Sequence, residues 1–410
     1  MSMSIVPTAR QDGAAQVLTR GRPLGSRIAR HLLKRLSEGH LSLTLPDGTV
    51  METPEGRGGP RAVLIVHRWR AMTSFLISGD VGLAEAYLRG DWDTPDLVAL
   101  ITLGALNERR GHALRGWTPV RLLQTIAHAR NRNTRRGSRR NIEAHYDLGN
   151  AFYEKWLDQG MSYSSALYAD STQALEVAQI AKQDRVLTLL DLPKPADVLE
   201  IGCGWGALAA RIAEQGHRVT GVTLSHEQLA YTRNRLAEAG LNGQCDMRLQ
   251  DYREISEQFD AVVSIEMFEA VGVQYWETYF QSLWACLKPS GTALLQVITI
   301  SEERYVNYRK TPDFIQLHIF PGGMLPSVPA LRREIAAAGL VLDHEEYFGL
   351  SYARTLAEWA SRFEIAWPDI AAMRFSEEFR RKWRFYLAYC EAGFRTGALD
   401  VGLFRMTRPL

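Results

Sequence analysis

The stretch VLEIGCGWG at residues 198–206 is an apolar run that ends in three glycines, each separated from the next by one larger residue. This pattern predicts a buried strand, then a turn at which the backbone comes close to a ligand, then a helix that begins near Ala207. The spacing Glu-x-Gly-x-Gly-x-Gly differs from the G-x-G-x-x-G with which a dinucleotide fold binds a pyrophosphate at a helix N-terminus. We therefore expect a nucleoside ligand that carries no phosphate.

Segments with strand and helix patterns alternate around this turn, from Asn141 onward. Helices of about 10 to 15 residues between successive strands predict a parallel, doubly wound α/β sheet. Ligands of such sheets lie at the carboxyl ends of the strands. The predicted strands are VLEIG, VTGVTL, MRLQD, AVVSIEMF and ALLQVITI, with VGLFRMTR as a last candidate in the tail.

A chain of 410 residues exceeds what one hydrophobic core usually supports, which favours two domains. Helical spacing occurs in SRIARHLLKRL and in GLAEAYLRGDWDTPDLVALITL, and the runs between them alternate and are broken by Asp-Gly and Gly-Gly. This arrangement predicts a compact α+β module with hairpins in a small sheet. We place the module at residues 1–125, a basic linker at residues 126–140 and the α/β domain at residues 141–410.

Arginines crowd into the segment HARNRNTRRGSRRN, which is too polar and too charged to pack into a core. The segment is either a solvated linker or a site of attraction to anionic phospholipid headgroups, where each basic side chain near the surface contributes about 1 kcal/mol. Because no base-stacking aromatic motif accompanies this charge, we expect no nucleic-acid partner. The arginines are Arg130, Arg132, Arg135, Arg136, Arg139 and Arg140.

Composition narrows the class of protein. An apolar fraction of 46%, a charged fraction of 23% and a net charge of +2 are ordinary for a soluble globular protein. The four cysteines are scattered, without a C-x-x-C pair or a nearby histidine at ligand spacing, so we expect a reduced cytosolic protein and no metal site. The N-terminus lacks a signal-peptide pattern and no run of about 18 apolar residues occurs, so we expect neither secretion nor a membrane span.

Polar residues at the predicted strand ends are the candidates for ligand contact. The second strand ends in GVTLS, without the acid that usually binds ribose hydroxyls, and Thr223 and Gln228 are the nearest polar substitutes. Asp251 and Tyr252, after the third strand, suit an adenine amino group and ring face, although such an aspartate is more often a helix cap. Glu200 either accepts hydrogen bonds from a ligand ammonium group or braces the turn.

Two carboxylates, Glu266 and Glu269, stand at the end of the fourth predicted strand, in the sequence SIEMFE. At this edge of the sheet they would meet the reactive end of the ligand. Either could instead be a surface or capping group, so on their own they do not identify a reaction.

Seven motifs occur in order along most of the chain: HYDLGNAFYEKWLD (145–158), MSYSSALY (161–168), VLEIGCGWG (198–206), VTGVTLSHEQ (219–228), LQDYREI (249–255), FDAVVSIEMFEAVG (259–272) and HIFPGGMLPS (318–327). Together they resemble the cyclopropane fatty acid synthase family, which includes the mycolic acid cyclopropane synthases and depends on S-adenosylmethionine. The resemblance implies a class I, Rossmann-like methyltransferase with a doubly wound, mostly parallel seven-stranded sheet, plus a smaller N-terminal α+β domain. That first domain, with GLAEAYLRGDWD at residues 82–93, is similar to the leading domain of the longer bacterial members.

By position, the resemblance implies that the cofactor is S-adenosylmethionine and that residues at the strand ends contact it. The acid that is absent from the second strand is thereby a trait of the family. The implied cofactor contacts are Tyr163, Ser164, Gly202, Gly204, Thr223, Gln228, Asp251 and Tyr252, to which Glu200 is added from its position beside the turn.

The resemblance also implies a bound bicarbonate ion that acts as general base. Gln296 stands where the family commonly has histidine, Ser165 where it commonly has cysteine, and Ala270 where a histidine is frequent. Because Gln and Ser still donate hydrogen bonds, we expect that an anion site can persist despite these changes, although without an ionisable imidazole. The implied ligands are the side chains of Glu269, Tyr352 and Gln296 and groups at Ser165 and Ile298.

The implied reaction is methylene transfer to the cis double bond of unsaturated phospholipid acyl chains, which forms cyclopropane fatty acids. A close alternative, motivated by the changes at Gln296, Ser165 and Ala270, ends in a methyl- or methylene-branched chain. More distant alternatives are a small-molecule N-methyltransferase and a non-catalytic lipid-binding module. We expect a cytoplasmic protein, peripherally associated with the inner face of the membrane, that could well form a homodimer.

Aromatic residues in the second half of the chain are candidates for the lining of an acyl tunnel, because ring faces stabilise a cation. For each of them, ordinary core packing is the alternative and the more frequent case. Cys390, on an apolar helical stripe, is expected to be a core thiol rather than a nucleophile. The aromatic candidates are Phe268, Tyr305, Phe320, Trp359 and Phe394.

Overall fold

A computed structural model describes residues 24–54, 58–108 and 148–410 of the chain. The first two ranges form a small α+β module and the third forms a larger α/β unit. The elements of the module are α1 (Leu24–Arg35), β1 (His40–Thr44), β2 (Val50–Glu52), β3 (Arg61–Val66), α2 (Arg70–Leu88), β4 (Trp92–Asp93) and α3 (Leu97–Asn107).

A four-stranded sheet in the order β2-β1-β3-β4 lies at the centre of the module. The predicted hairpin is present between β1 and β2, which pair antiparallel across a turn in which the N–H of Gly48 donates to the carbonyl of Leu45. The prediction of a further hairpin is wrong for β3, because this strand pairs parallel with β1 on its other side.

The helical spacing predicted over residues 82–103 belongs to two helices rather than one. α2 ends at Leu88, and Gly90 then takes a left-handed φ of 70°. α3 begins after Asp96, whose carboxylate accepts a hydrogen bond from the N–H of Ala99. An N-cap of this kind stabilises a helix by about 1 kcal/mol, so the local sequence itself specifies the interruption between α2 and α3.

The α/β unit alternates strands and helices, as its sequence pattern predicts. Besides short 3-10 turns, its elements are α4 (Asn150–Tyr153), α5 (Leu175–Leu190), β5 (Asp197–Ile201), α6 (Ala207–Glu214), β6 (Arg218–Thr223), α7 (His226–Glu238), β7 (Cys245–Leu249), β8 (Phe259–Ile265), α8 (Trp276–Cys286), β9 (Leu287–Ile300), α9 (Glu302–Tyr308), α10 (Phe314–His318), α11 (Val328–Ala337), β10 (Val341–Tyr347), α12 (Gly349–Ile365), α13 (Trp367–Ala372), α14 (Glu377–Arg395) and β11 (Leu399–Thr407).

A seven-stranded sheet in the order β10-β11-β9-β8-β5-β6-β7 forms the centre of the unit. The pairs β5·β6, β5·β8, β6·β7 and β8·β9 are parallel, and β11 pairs antiparallel with both β9 and β10. The prediction of a doubly wound, mostly parallel seven-stranded sheet is therefore confirmed. Strand order reverses between β5 and β8, and ligands of such sheets lie in the crevice at that point.

Burial on both faces explains why the central strands are continuous apolar runs. Val198, Leu199 and Ile201 of β5 are buried, as are Val262 and Val263 of β8. Helices cover both faces of a parallel sheet and exclude water from both sets of side chains. The carboxyl ends of β5 and β8 are thereby held beside each other in register.

One arginine of α14 fastens the module to the α/β unit. The guanidinium of Arg381 donates hydrogen bonds to the backbone carbonyls of Tyr87 at 2.5 Å and Trp92 at 2.9 Å. Its Cζ atom lies 3.9 Å from the centroid of the Tyr87 ring. Planar, always-charged Arg suits such a combination of stacking and hydrogen bonding. The contact places the module beside α14, the helix that also reaches the site described below.

Several predictions from the sequence fall on residues that the structure does not describe. The basic linker at residues 126–140, with its Arg130–Arg140 cluster, lies outside the described ranges. The helix predicted from Asn141 is described only from residue 148, where α4 covers Asn150–Tyr153. Within the described residues, no helix is long and apolar enough to cross a membrane.

Candidate active site

The glycine turn after β5 combines one glycine that serves packing with another that leaves the backbone accessible. Gly204 and Gly206 have φ angles of 52° and 82°, in the left-handed region that glycine adopts without steric cost. A Cβ atom on Gly206 would lie 2.5 Å from Cγ2 of Thr232. A Cβ atom on Gly204 would meet no heavy atom within 4 Å. The backbone at Gly204, and not at Gly206, is therefore open to a ligand.

Glu200, the last residue but one of β5, carries its carboxylate into the protein interior. Its side chain is buried, and its Oε2 atom has no hydrogen-bond partner among the described residues. Burial raises the pKa of this carboxyl to about 8, against the charge of Lys182, which lowers it. A buried carboxylate oxygen without a partner is costly, so this position fits a cationic ligand group such as the ammonium of an amino acid.

Four of the predicted cofactor residues lie at the end of β6, in the first turn of α7 and just after β7. The hydroxyl of Thr223 donates to Oε1 of Gln228 at 2.9 Å, which orients that amide. The carboxylate of Asp251 accepts hydrogen bonds from the N–H and the guanidinium of Arg253, at distances down to 2.5 Å, and so caps the turn that starts at Tyr252. The structure thus shows the capping role considered from the sequence, and an adenine contact by Asp251 stays a prediction.

Tyr163 and Ser164 lie on the chain segment before α5, facing the α12 and α14 helices and α5 itself. The hydroxyls of Tyr163 and Tyr386 lie 2.8 Å apart in a hydrogen bond. The hydroxyl of Ser164 accepts a hydrogen bond from Nζ of Lys182 at 2.7 Å. Lys182 therefore connects Ser164 to Glu266, whose charge lies within its electrostatic reach.

Glu266, which directly follows β8, is surrounded by hydrogen-bond donors. Its Oε1 atom accepts from the backbone N–H of Ser165 at 2.9 Å and from the amide of Gln296 at 2.6 Å. Its Oε2 atom accepts from the hydroxyl of Tyr352 at 2.6 Å. Burial raises the pKa of this carboxyl, while the three donors and the charge of Lys182 oppose the shift. The donors thus favour the ionised carboxylate.

Glu269, one 3-10 turn later, has a different environment. Its Oε1 atom accepts a hydrogen bond from the backbone N–H of Ile298 at 2.5 Å. Its Oε2 atom is buried and has no partner among the described residues. Burial, together with the nearby charge of Glu266, raises the pKa of Glu269 to about 8. At neutral pH Glu269 is therefore mainly protonated, and the three donors and Lys182 make Glu266 the member of the pair that more readily carries the negative charge.

The residues predicted to bind bicarbonate come together, but their donors are already engaged. Ser165, Gln296 and Tyr352 converge as the resemblance implies, and all three bind the carboxylate of Glu266. The fourth donor, the N–H of Ile298, binds Glu269. As they stand, these residues do not fit a second anion, because a bicarbonate here would lack free donors and would lie against a carboxylate. Bicarbonate as the base stays a prediction from the resemblance.

Sequence reasoning left two residues of this site out of the predicted set. Glu266 was visible only as one of two acids at a strand end, and the residues that bind it are 30 to 101 positions away along the chain. Lys182 stands on α5 in a segment with no distinctive motif, and only the fold shows that its side chain is buried among Ser164 and the acids.

A cavity of about 790 Å³ opens in front of the two acids. Its wall contains Glu266, Glu269 and Ile298, and it reaches into the N-terminal module, where Leu43 and Leu64 line it. Most of the surface facing the cavity comes from apolar side chains of both units. The cavity thus lies between the N-terminal module and the α/β unit, and both contribute to its wall.

The aromatic candidates divide into two groups. Phe320 and Phe394 line the cavity, as does Cys390, whose thiol pKa is raised by burial and which is therefore unreactive as a nucleophile. Phe268 packs against Trp276, Tyr279 and Phe280, and Trp359 packs against Trp156, Tyr163 and Tyr352. Neither of these two, nor Tyr305, contributes to the cavity wall, so for these three core packing prevails.

These features define a class of protein. A seven-stranded, mostly parallel sheet with an open glycine turn after its central strand, beside a buried carboxylate, is the class I methyltransferase architecture. In the described ranges, no group of His, Cys, Asp and Glu is arranged to hold a metal ion.

Comparisons with known proteins specify the class further. Residues 133–404 match the family model described as mycolic acid cyclopropane synthetase. The tuberculostearic acid methyltransferase UfaA1 of Mycobacterium tuberculosis is 38% identical over 398 residues, covering 93% of this chain and 91% of the relative. The cyclopropane-fatty-acyl-phospholipid synthase of Escherichia coli is 37% identical over 340 residues, covering 81% of this chain and 83% of the relative.

A solved structure agrees with these relatives. The crystal structure of mycolic acid cyclopropane synthase CmaA1 in complex with SAH and CTAB superimposes with a TM-score of 0.62 and 31% identity, covering 66% of this chain and 98% of that one. The chain belongs to the mycolic acid cyclopropane synthetase family and is an S-adenosylmethionine-dependent methyltransferase.

Proposed function

We propose that this enzyme transfers a methyl group from S-adenosylmethionine to the cis double bond of an unsaturated fatty acyl chain, and that the product is a methylene-branched chain. The observation that carries the proposal is the apolar cavity whose wall contains Glu266 and Glu269. An apolar wall and a pair of acids share one space there, which suits an acyl chain. A small polar amine, the substrate of an N-methyltransferase, would gain little from an apolar wall.

The size and composition of the cavity support an acyl substrate. A volume of about 790 Å³ lies within the range of about 300–1,000 Å³ that small-molecule sites have. Each methylene group removed from water contributes about 0.8 kcal/mol, so an apolar wall binds a chain without specific contacts. The participation of Leu43 and Leu64 gives the N-terminal module a part in substrate binding.

S-Adenosylmethionine supplies an electrophilic methyl group on a sulfonium centre. The open backbone at Gly204 and the free oxygen of Glu200 would bind its amino acid portion, and Thr223 and Gln228 would lie beside the nucleoside. The π electrons of the alkene form the new C–C bond while the C–S pair stays with sulfur, which leaves a cation on the neighbouring chain carbon. The carboxylate of Glu266, held by its hydrogen bonds in the cavity wall, would stabilise that charge without having to reorganise.

The product depends on what the cation does before it loses a proton. If the base first takes a proton from the new methyl group, the C–H pair closes a cyclopropane ring. If a hydride first moves from the methyl-bearing carbon to its cationic neighbour, loss of the same methyl proton leaves an exocyclic methylene. A saturated methyl branch would require an additional hydride donor and is not proposed.

Branching is supported by the base that the site contains. Three hydrogen bonds fix the carboxylate of Glu266 in place and oppose the rise in its pKa that burial causes. A base held in this way cannot follow the methyl group freely, which gives a hydride shift time to compete with deprotonation. The first-named relative is a tuberculostearic acid methyltransferase, a name that specifies methyl transfer and not ring formation. The cyclopropane product, which the Escherichia coli relative makes plausible, stays a prediction.

We further propose that the acyl chain is presented as part of a phospholipid at the inner face of the membrane. The apolar cavity supports a lipid substrate. Headgroup attraction by the Arg130–Arg140 segment and the formation of a homodimer stay predictions from the sequence.

The test is the reaction with vesicles of cis-unsaturated phosphatidylglycerol and S-adenosylmethionine that carries a trideuterated methyl group. The expected product retains two deuterons and shows vinylidene carbons in NMR spectra. Upfield ring protons, with the same isotope content, would instead establish the cyclopropane. Transfer to a soluble amine but not to the lipid would disprove acyl methylation, and failure to bind S-adenosylhomocysteine in calorimetry would favour a non-catalytic lipid-binding module.

A further inference from the structure

We propose that Glu266 is the general base of this enzyme, a side chain that replaces the exogenous bicarbonate of the resembling family. This inference rests on the proposed function, since it assigns the group that removes the methyl proton. It assigns a catalytic role to a residue that lies within the motif at residues 259–272 but is not among the bicarbonate ligands that the resemblance implies.

The first support is that hydrogen-bond donors implied for the bicarbonate site bind Glu266 instead. A bicarbonate ion would need the N–H of Ser165, the amide of Gln296 and the hydroxyl of Tyr352, and each of these donors binds one of the oxygens of Glu266. The three donors come from the segment before α5, from β9 and from α12, so their convergence is a product of the whole fold. They form an anion cradle, and a carboxylate of the chain itself occupies it.

The second support is backbone strain. Glu266 has a φ of 50°, in the left-handed region that non-glycine residues adopt at a cost of about 1–2 kcal/mol. Residues held in such conformations concentrate at functional sites. The backbone N–H of Glu266 donates to the carbonyl of Gln296, which holds the strained residue at the end of β8. Glycine would have the lowest backbone strain at this position, so the glutamate side chain is present at a conformational cost.

The third support is the pattern of charge around the acid pair. Lys182 is fully buried and its charge lies within electrostatic reach of Glu266, Glu200 and Asp158. Glu269 faces the same cavity with a protonated carboxyl at neutral pH, so it does not repel an ionised neighbour. The three donors and Lys182 therefore favour the negative charge at Glu266 over Glu269, and the removal of a proton from a cationic chain requires such a charge.

The proposed step conserves atoms and electrons. A carboxylate oxygen of Glu266 forms an O–H bond with a proton of the transferred methyl group. The C–H electron pair becomes the second bond of the exocyclic methylene, or the third side of a ring, and the positive charge of the chain is discharged. The proton leaves Glu266 for water after the product departs, so no oxidant or reductant takes part.

The experiment is chemical rescue of Glu266→Gly by bicarbonate. The substitution removes the base, empties the cradle and relieves the left-handed strain, so the variant is expected to fold and to bind S-adenosylhomocysteine as wild type does. Turnover on cis-unsaturated vesicles in carbonate-free buffer should fall by about 10²- to 10⁴-fold, the usual contribution of a general base. Millimolar bicarbonate should restore a saturable part of it, and ¹³C-bicarbonate should show exchange broadening with the variant but not with wild type.

The matched control is Asp191→Gly, which removes a left-handed acid with a φ of 45° at the exposed C-terminus of α5. Its turnover should equal that of wild type, with or without bicarbonate. The inference is overturned if Glu266→Gly keeps at least a tenth of wild-type turnover without bicarbonate, or if it binds S-adenosylhomocysteine normally and no bicarbonate concentration restores it. A wild type that methylates no acyl chain would contradict the proposed function instead.

Discussion

Glu200 is buried and Glu266 partly buried, both at the carboxyl ends of neighbouring parallel strands, yet their surroundings are opposite. Glu200 has an oxygen without a partner in the described chain, and burial raises its pKa to about 8. Glu266 is bound by three donors that come from distant parts of the sequence. An unsatisfied carboxylate beside an open glycine turn is prepared for a cationic ligand, whereas a satisfied one is a fixed component of the site.

The largest effect is expected at Glu266, where a substitution should lower turnover and leave cofactor binding unchanged. Glu266→Gln should lower kcat by about 10²- to 10⁴-fold, because an amide cannot accept the proton. The dissociation constant of S-adenosylhomocysteine should change by less than a factor of about two, since Glu266 is not a cofactor contact. Steady-state kinetics and calorimetry measure the two quantities. A matching loss of cofactor affinity would show that the two acids act as one unit.

The next largest effect is expected at Glu200, where a substitution should weaken cofactor binding and leave turnover nearly unchanged. Glu200→Gln should weaken S-adenosylhomocysteine binding by about 10- to 100-fold, because a hydrogen bond to a charged group is worth about 1.5–3 kcal/mol. At saturating cofactor its turnover should remain close to that of wild type. Glu238→Gln, an exposed residue at the end of α7, serves as the control and should change neither quantity. Unchanged affinity in Glu200→Gln would show that the carboxylate only braces the turn.

The smallest effect concerns the lysine between the two acids. The charge of Lys182 lowers the pKa of Glu266, so Lys182→Met should raise that pKa. Because the base acts in its ionised form, the acidic limb of the kcat/KM profile should move to higher pH, and turnover at high pH should be affected least. Lys155→Met, which removes a lysine paired with Asp369 at the surface, is the control. A uniform loss at every pH would point to a purely structural role for Lys182.

The parallel sheet could be predicted from the sequence because its signal is local. Strands buried on both faces are apolar along their whole length, and VLEIG shows this directly, as do the intervening helices. The prediction failed at β3, because the choice between a second hairpin and a parallel pairing with β1 depends on the packing of the whole module. Local patterns carry no information about such a choice.

The site was predictable as a set of residues and not as a set of contacts. The resemblance correctly predicted that Ser165, Gln296 and Tyr352 lie close together, but it predicted a bicarbonate ion as their common partner. The structure changes that interpretation, because the carboxylate of Glu266 is the common partner of these three residues. Its left-handed backbone and its hydrogen bonds to residues far away in the chain exist only in the folded protein.

The central claim is that the base belongs to the protein, and the most direct test is the turnover of the wild-type enzyme in buffer freed of carbonate. Initial rates of methyl transfer to cis-unsaturated vesicles would be measured under argon and after addition of bicarbonate up to millimolar concentrations. The expected result is the same rate and the same product ratio at every bicarbonate concentration. A rate that falls towards zero without bicarbonate and saturates as it is added would contradict the account.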